Sequence, residues 1–314
     1  LVAIILLISS FFYIKIAEYF NIIDKPNHRS SHTQSTIRGG GVLFLIALLL
    51  FYYLSGFQYT YFILGTFLIA IISFVDDLKT LSSAIRLPFQ FVAILFVLYQ
   101  LDLSMFSIYL IPFILFIGVG FINVYNFMDG INGITGLYSI SIFIGFYLIN
   151  NDIHVINQDL IIFLVLSLLV FGYFNFRKKA RFFAGDIGSI TIAMCVFFIG
   201  FVLVKETSSP LILFSVVVYG TDAIYTMLYR LRIKEKLSEA HRHHIYQKLV
   251  HILKTPHLKV SSYYAIIQLL VNIIIYYCYN ASLEIQYLVI LFFRISFTVL
   301  YFYIFKLIER KSTN

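Results

Sequence analysis

Two adjacent carboxylates stand where an apolar run ends, in the segment "IISFVDDLKTLSS" at residues 71–83. Neighbouring carboxylates repel one another, so the pKa of one of them tends to rise. A raised pKa suits a base, while the ionised neighbour can orient a lysine or a metal ion. Asp76 and Asp77 are therefore a candidate catalytic pair, although a solvated loop that caps a helix explains two acids equally well.

A second polar segment, "NVYNFMDGINGITG" at residues 123–136, places Asn126 and Asp129 three residues apart. On a helix that spacing puts both side chains on one face, and Asn123 lies three residues further back on the same face. A buried carboxylate needs a partner or a metal ion. A loop with glycine turns explains the glycines of this segment but not the Asn/Asp face, so we predict a functional site.

Asp186 lies in "RFFAGDIGSI", directly ahead of another apolar run. An N-cap role accounts for an aspartate at this point. A metal-binding role does so as well, since Mg²⁺ takes one or two protein carboxylates and completes its shell with water and substrate phosphates. Asp186 with Asn126 or Asp129 would make such a site.

Three histidines gather in "SEAHRHHIYQKL" at residues 238–249. A zinc site is not indicated, because neither a cysteine nor an HExxH helix accompanies them. Imidazoles beside Arg242 and Lys248 suit an anionic ligand with several oxygens, and a basic surface helix at the lipid headgroups is the alternative. The charge of "DKPNHRSSHTQSTIRGGG" at residues 24–41 is also compatible with lipid headgroups, which do not call for its three consecutive glycines.

The elements that position these residues must cross a membrane. Hydrophobic residues make up 61% of the 314-residue chain and charged residues 12%, with a mean hydropathy of +0.91, whereas soluble domains are about 25% charged. We predict an all-α polytopic integral membrane protein of about eleven transmembrane helices in a single domain, 1–314. The predicted spans are 1–20, 39–55, 59–75, 84–101, 106–122, 131–149, 159–176, 186–204, 210–229, 259–279 and 284–306. Cys195 and Cys278 fall inside spans and are predicted to be packing residues.

Lysine and arginine accumulate in cytoplasmic loops of membrane proteins. If residue 1 starts outside, the inner loops and tail carry 20 of the 23 Lys and Arg. All of the polar segments above fall on that same side, including the long loop 230–258. We therefore predict a cytoplasmic-face active site in a bacterial inner (plasma) membrane.

The segments, in this order, resemble those of the polyprenyl-phosphate N-acetylhexosamine-1-phosphate transferases of the glycosyltransferase family 4 type. That superfamily includes phospho-N-acetylmuramoyl-pentapeptide transferase and the GlcNAc-1-phosphate transferases that initiate O-antigen, enterobacterial common antigen and teichoic acid synthesis. The resemblance covers about residues 20–260. It implies a Mg²⁺-dependent enzyme that moves a sugar-1-phosphate from a UDP-N-acetylhexosamine to undecaprenyl phosphate and releases UMP. Membrane lipid is then a partner and nucleic acid is not, and a homodimer is one expected assembly.

The resemblance also assigns roles. Asp76 and Asp77 match the family's aspartate pair, with Asp76 the expected base for the lipid phosphate and Asp77 its support. Asp186 matches a magnesium ligand, and the Asn-x-x-Asp residues Asn126 and Asp129 complete the metal site. A direct attack is simpler than an aspartyl-phosphate intermediate, and both stay open.

The histidine segment departs from the family's commonest pattern. "HRHHIYQ" places Tyr246 and Gln247 where further histidines align, so that His244 matches the first of them. We expect His244 and Arg242 to clamp the diphosphate, with His241 in the nucleotide site. This variant resembles the branch that primes O-antigen with UDP-N-acetylfucosamine or a related sugar. The identity of the sugar, the polysaccharide pathway and the separate roles of His241 and His243 stay open.

A secondary transporter is the main alternative of another class, because intramembrane acids often mark ion routes. Transporter sites, however, lie near the bilayer midplane between sequence repeats, and the acids here gather at one boundary without a repeat. A membrane scaffold explains only the composition. A CDP-alcohol phosphotransferase requires a denser array of aspartates than "MDGINGITG" supplies.

Overall fold

The computed structural model describes residues 1–26, 34–102, 107–236 and 241–312. Parts of two segments predicted to be chemical, residues 27–33 and 238–240, lie outside the described residues. Helices account for 77% of the described residues, in agreement with the predicted all-α class. The helices are α1 Val2–Tyr19, α2 Val42–Leu54, α3 Thr60–Leu78, α4 Ser83–Gln100, α5 Ile111–Phe127, α6 Ile134–Ile153, α7 Gln158–Asn175, α8 Gly185–Thr207, α9 Val217–Arg232, α10 Ile245–His251, α11 His257–Cys278 and α12 Leu283–Ser312.

Nine helical segments among the described residues are long and apolar enough to cross a membrane. Two shorter apolar helices, α2 and α5, overlap the predicted spans 39–55 and 106–122, so the total of about eleven spans stays a prediction. Helix α5 has 17 residues, and Pro112 lies in its first turn, where a missing N–H is harmless. Pro88 lies inside α4, which still reaches 18 residues.

Helix α8 lies at the centre of the bundle, packed against α2, α3, α5 and α6. Its apolar stretch is 78% buried within the protein, against 11% for α12 at the periphery. Free Cys195 is buried in α8 and free Cys278 is half-buried at the end of α11, in agreement with the predicted packing role. The start of α8 is therefore a fixed point on which neighbouring elements converge.

A broken helix leads into α9. A 3₁₀-helix, Pro210–Val216, precedes α9 within one predicted span, and such a break frees backbone groups that lipid cannot satisfy. The Gln268 side-chain oxygen accepts a hydrogen bond from the Val218 N–H at 3.1 Å, and the Tyr138 hydroxyl accepts one from the Tyr219 N–H at 3.2 Å. Side chains from α11 and α6 thus fix the first turn of α9.

Two short antiparallel strands, β1 Ile23–Asp24 and β2 Thr36–Ile37, join α1 to α2. Ile37 also bridges in parallel to Phe182, just before α8. This pairing brings the "RGGG" segment against the start of α8.

Candidate active site

Asp77 anchors the first turn of α8. It lies in the last turn of α3, and its buried carboxylate accepts hydrogen bonds from the backbone N–H groups of Asp186 at 2.9 Å and Ile187 at 3.2 Å. These donors belong to the helix N-terminus, where backbone N–H groups lack intrahelical partners. The Arg38 Nε lies 2.6 Å from the same carboxylate. Asp77 therefore caps α8 from a neighbouring helix.

Asp76 faces a different partner. One of its carboxylate oxygens lies 2.8 Å from Nη1 of Arg86, in the first turn of α4. The other accepts a hydrogen bond from the Leu81 N–H at 2.5 Å, which holds the turn between α3 and α4. The adjacent acids of the opening segment thus point to two different arginines.

Asp186 lies where these contacts meet. Its carboxylate is 3.1 Å from the Arg38 guanidinium and 3.5 Å from that of Arg86, and its side chain is 16% exposed. The N-cap residue of α8 is Ala184, so Asp186 does not cap its own helix. Its carboxylate is instead turned to the two arginines, and it keeps access to a ligand.

Close backbone packing accounts for the glycines on both sides of this cluster. The Gly41 N–H donates to the Ala184 carbonyl at 2.9 Å, and a methyl group on Gly41 would overlap the Cα of Gly188. Gly185 has a φ of +72°, and a side chain there would collide with the Asp77 carboxylate. The consecutive glycines of "RGGG" therefore let the start of α2 lie directly on α8.

Asn126 reaches the same cluster from α5. Its side-chain oxygen accepts a hydrogen bond at 2.7 Å from the hydroxyl of Ser189, one turn beyond Asp186 in α8. The predicted helix face shared with Asp129 is wrong, because α5 ends at Phe127 ahead of Gly130. Asn123 faces α4 instead, where it donates to the Gln90 side chain at 2.8 Å.

Asp129 lies in the loop between α5 and α6. The Thr135 hydroxyl donates to its carboxylate at 2.6 Å. Burial raises the pKa of Asp129 to about 6, and the negative charge of nearby Asp186 adds to the rise, while the Thr135 hydrogen bond and Arg38 oppose it. Asp129 is therefore electrostatically linked to Asp186 despite their separation in the chain.

The oxygen donors fit a divalent cation of the magnesium type. Asp129 and Asp186 supply two carboxylates and Asn126 an amide oxygen, which suits an ion that completes its shell with water and phosphates. Within the described part of the chain, no group of three or more His, Cys, Asp and Glu side chains is arranged to hold a metal without such help.

The histidine segment packs around Asp222 of α9, a residue that the sequence analysis did not single out. His244 is the N-cap residue of α10, and its Nδ1 lies 3.3 Å from a carboxylate oxygen of Asp222, in α9. Both side chains are 4% exposed. Nε2 of His244 is buried and has no hydrogen-bond partner among the described residues.

The other members of this segment have distinct surroundings. The ring of His243 lies 2.9 Å from Glu235, which also binds Arg230. Burial, together with the nearby charges of His244 and Arg230, lowers the pKa of His241 to about 4, so this imidazole is neutral at pH 7. Arg242 is half-buried between them. Of the three histidines, His243 is the one that pairs with a glutamate of the α9–α10 loop.

Tyr246 joins the histidine segment to the carboxylate cluster. Its hydroxyl donates to the Phe127 carbonyl at 2.9 Å, at the end of α5, and its ring packs against Gly130, where a methyl group would overlap the Tyr246 hydroxyl. His244 is two residues from Tyr246 in the chain and is therefore held near the loop that carries Asp129. The predicted site residues Asp76, Asp77, Asn126, Asp129 and Asp186 form one cluster, and His244 is attached to it through Tyr246.

Sequence reasoning missed Arg38, Arg86 and Asp222. The two arginines were interpreted only as markers of the inner membrane face, and Asp222 lies within an apolar span. A single carboxylate in a span is itself a signal of a functional site, and it could have drawn attention to Asp222.

The helices that carry the acid cluster lie in a part of the chain that is similar in sequence to known proteins. Residues 59–204, from the start of α3 through most of α8, match the sequence model of glycosyl transferase family 4. A probable undecaprenyl-phosphate N-acetylglucosaminyl 1-phosphate transferase of Bacillus subtilis (strain 168) is 24% identical over 262 residues, which are 75% of this chain and 72% of the relative. These similarities support a place for the chain in the polyprenyl-phosphate sugar-1-phosphate transferase superfamily.

Two further relatives of the chain are phospho-N-acetylmuramoyl-pentapeptide-transferases. The one from Streptococcus agalactiae serotype Ia is 40% identical over 118 residues, 32% of this chain and 34% of the relative. The one from Thermotoga maritima is 29% identical over 181 residues, 51% of this chain and 58% of the relative. The matches to these two relatives thus span about a third and somewhat over half of their lengths.

Proposed function

We propose that this transferase moves an N-acetylhexosamine-1-phosphate from a UDP-sugar to undecaprenyl phosphate at the cytoplasmic face of the membrane. One observation carries the proposal: at the start of a central membrane helix, Asp186 has two arginines on its carboxylate and acts electrostatically on Asp129, and Ser189, one turn further along, binds Asn126. This arrangement combines cation ligands with guanidinium donors, which is what a reaction between two phosphate-bearing substrates requires.

The reaction brings like charges together. An oxygen of the lipid phosphate attacks the sugar-bearing phosphorus of the UDP-sugar. A new P–O–P bond forms, the bond to UMP breaks, and UMP leaves with its electron pair. Mg²⁺ held by Asp186, Asp129 and Asn126 would neutralise charge on the diphosphate. Within the protein, Arg38 and Arg86 supply the permanent positive charge of the site.

Asp76 is our proposed base for the lipid phosphate, with Asp77 as its structural support. A phosphate monoester loses its second proton near pH 6, so a base is needed chiefly when the lipid arrives singly protonated. The Arg86 ion pair at 2.8 Å keeps the Asp76 carboxylate oriented, and Nε of Arg86 is buried without a partner among the described residues. Arg86 can therefore bind the same phosphate whose proton Asp76 accepts.

On the other side of the Asp129 loop, we propose that His244 and Arg242 bind the diphosphate, with neutral His241 beside the nucleotide. We also propose that the product primes a cell-surface polysaccharide of the O-antigen type. Support for that assignment comes from the departure at Tyr246 and Gln247, and the Bacillus relative's name points to N-acetylglucosamine as a second donor to test.

A reconstituted assay tests the proposal. Purified protein, undecaprenyl phosphate and Mg²⁺ are incubated with a panel of UDP-N-acetylhexosamines, and UMP release and the lipid-linked product are measured. We expect both with at least one donor, and loss of both in Asp186→Asn. Solute uptake by proteoliposomes without UMP release would contradict the proposal and favour a transporter.

A further inference from the structure

Asp222 is a buried carboxylate that accepts hydrogen bonds from five donors. Four of them lie on three helices, and the fifth is the ring of His244. The Tyr264 hydroxyl of α11 donates at 2.6 Å and the Thr226 hydroxyl of α9 at 3.1 Å. The remaining donors belong to the start of α10, and they are the Ile245 N–H at 2.9 Å, the Tyr246 N–H at 3.4 Å and the His244 ring at 3.3 Å. With five hydrogen bonds, the Asp222 carboxylate restrains the orientation of each of these donor groups.

The ring contact has a chemical consequence. A carboxylate only accepts, so Nδ1 of His244 must carry the proton in this contact, and Nε2 is left as the reactive nitrogen. Nε2 is buried and unpaired among the described residues. Buried polar atoms without partners are rare in folded proteins, and a ligand that approaches Nε2 would satisfy it.

We infer that Asp222 is a positioning residue: it holds His244 so that Nε2 faces the diphosphate of the bound UDP-sugar. The inference rests on the proposed function. Asp222 is not itself a catalytic residue, since its oxygens are occupied by protein donors. When both ring nitrogens carry a proton, His244 can donate from Nε2 to a phosphate oxygen while Nδ1 stays on Asp222.

Other titratable groups surround the ring. The His241 ring lies 5.0 Å away and the Tyr246 ring 5.6 Å away, centroid to centroid. Tyr264 packs on the same carboxylate, and Arg230 lies near His241. Of these groups, Asp222 bears the negative charge that contacts the His244 ring.

A purely structural cap is the competing explanation, because Asp222 also binds the first N–H groups of α10. Thr226→Val is the matched control. It removes a buried hydrogen bond to the same carboxylate while it leaves the His244 contact and the α10 cap in place. Asp222→Asn keeps an acceptor for the cap but removes the charge, and Asp222→Ala removes both.

The experiment combines kinetics with ¹⁵N NMR of histidine-labelled protein in detergent, with His244→Gln used to assign the ring signals. In the wild type we expect the ring signals of His244 to show a proton on Nδ1, and the Nε2 signal to shift when UDP is added. Asp222→Asn should weaken the preference for a proton on Nδ1, so that both tautomers appear in the spectra. It should also reduce kcat/KM for UDP-sugar at least tenfold, and Thr226→Val should change neither quantity.

Two results would overturn the inference. One is wild-type kcat/KM in folded Asp222→Asn; the other is a His244 ring that stays protonated on Nδ1 alone in Asp222→Ala. If the wild type releases no UMP from any donor, the proposed function fails, whereas the NMR result still decides how Asp222 orients His244.

Discussion

The beginnings of α8 and α10 are built in the same way and differ in their counter-charge. At α8, Asp77 of α3 accepts the first backbone N–H groups and so places Asp186. At α10, Asp222 of α9 accepts the N–H groups of Ile245 and Tyr246 and so places His244. Asp77 is paired with Arg38, whereas Asp222 is surrounded by hydroxyl groups and an imidazole.

This difference assigns different tasks to the two helix starts. An arginine is always charged, so the Asp77 side of the site keeps a permanent positive group whatever the pH. The imidazole of His244 instead has one nitrogen on Asp222 and a second, Nε2, without a partner among the described residues, so the Asp222 side offers a single directed contact. The first region suits a metal and a fixed diphosphate, and the second suits one oriented hydrogen bond to a ligand.

The largest effect is expected from Asp186→Asn. Loss of this carboxylate should reduce turnover about 10²–10³-fold, because the proposed metal loses a ligand and the two arginines lose their shared partner. The backbone N–H of residue 186 still binds Asp77, so thermal unfolding should change little. Glu206→Gln, at the far end of α8, is the control and should retain turnover. Wild-type UMP release by the asparagine variant would contradict the site.

His244→Ala should reduce turnover about 10²-fold, and His243→Gln less than about fivefold. The magnitude for His244 is typical of a positioned acid–base or donor group. His243 instead faces Glu235 in the loop. Initial rates of UMP release at pH 7.5 separate the two. Equal losses in both variants would mean that the segment acts as a whole rather than through one ring.

Asp77→Asn should cost more stability than Asp222→Asn. In the first variant Arg38 loses its nearer carboxylate and keeps the contact with Asp186 at 3.1 Å, so its charge is less fully compensated. In the second variant the lost carboxylate is paired with His244 rather than with an arginine. We expect about 1–3 kcal/mol for Asp77→Asn and roughly half of that for Asp222→Asn. Thermal unfolding in the same detergent measures both, and the reverse order would contradict the comparison.

Asp129→Asn should stabilise the metal-free protein, but only at higher pH. The folded-state pKa of Asp129 is raised from 3.8 to about 6, so the folded protein binds more protons than the unfolded chain between these values. Stability therefore falls as the pH rises from about 4 to 6. The variant should gain about 1–2 kcal/mol at pH 7.5 and almost nothing at pH 4, as measured by unfolding with EDTA. An equal gain at both pH values would contradict the assignment.

The sequence predicted the membrane class and most of the site because both depend on local patterns. Apolar runs of span length identify helices wherever they occur, and the acid at 186 stood out at a span boundary. The partners of these acids were beyond such reasoning: 109 residues separate Asp77 from the Asp186 N–H that it binds. The placement of Asn123 on the site-facing side of its helix was wrong for a related reason. The sequence indicated that it lies on a helix but not that Gln90 of α4 packs against it.

The most direct measurement is a double-mutant cycle on the affinity for UDP, determined by calorimetry with Mg²⁺ for the wild type, Asp186→Asn, His244→Ala and the double variant. The account holds that both regions bind one diphosphate. Each single change should then weaken binding at least tenfold, and the double variant should fall short of the product of the two losses by about tenfold. Losses that multiply independently would show that the two regions are not coupled through the diphosphate, and unchanged affinity in His244→Ala would show that they do not share a ligand.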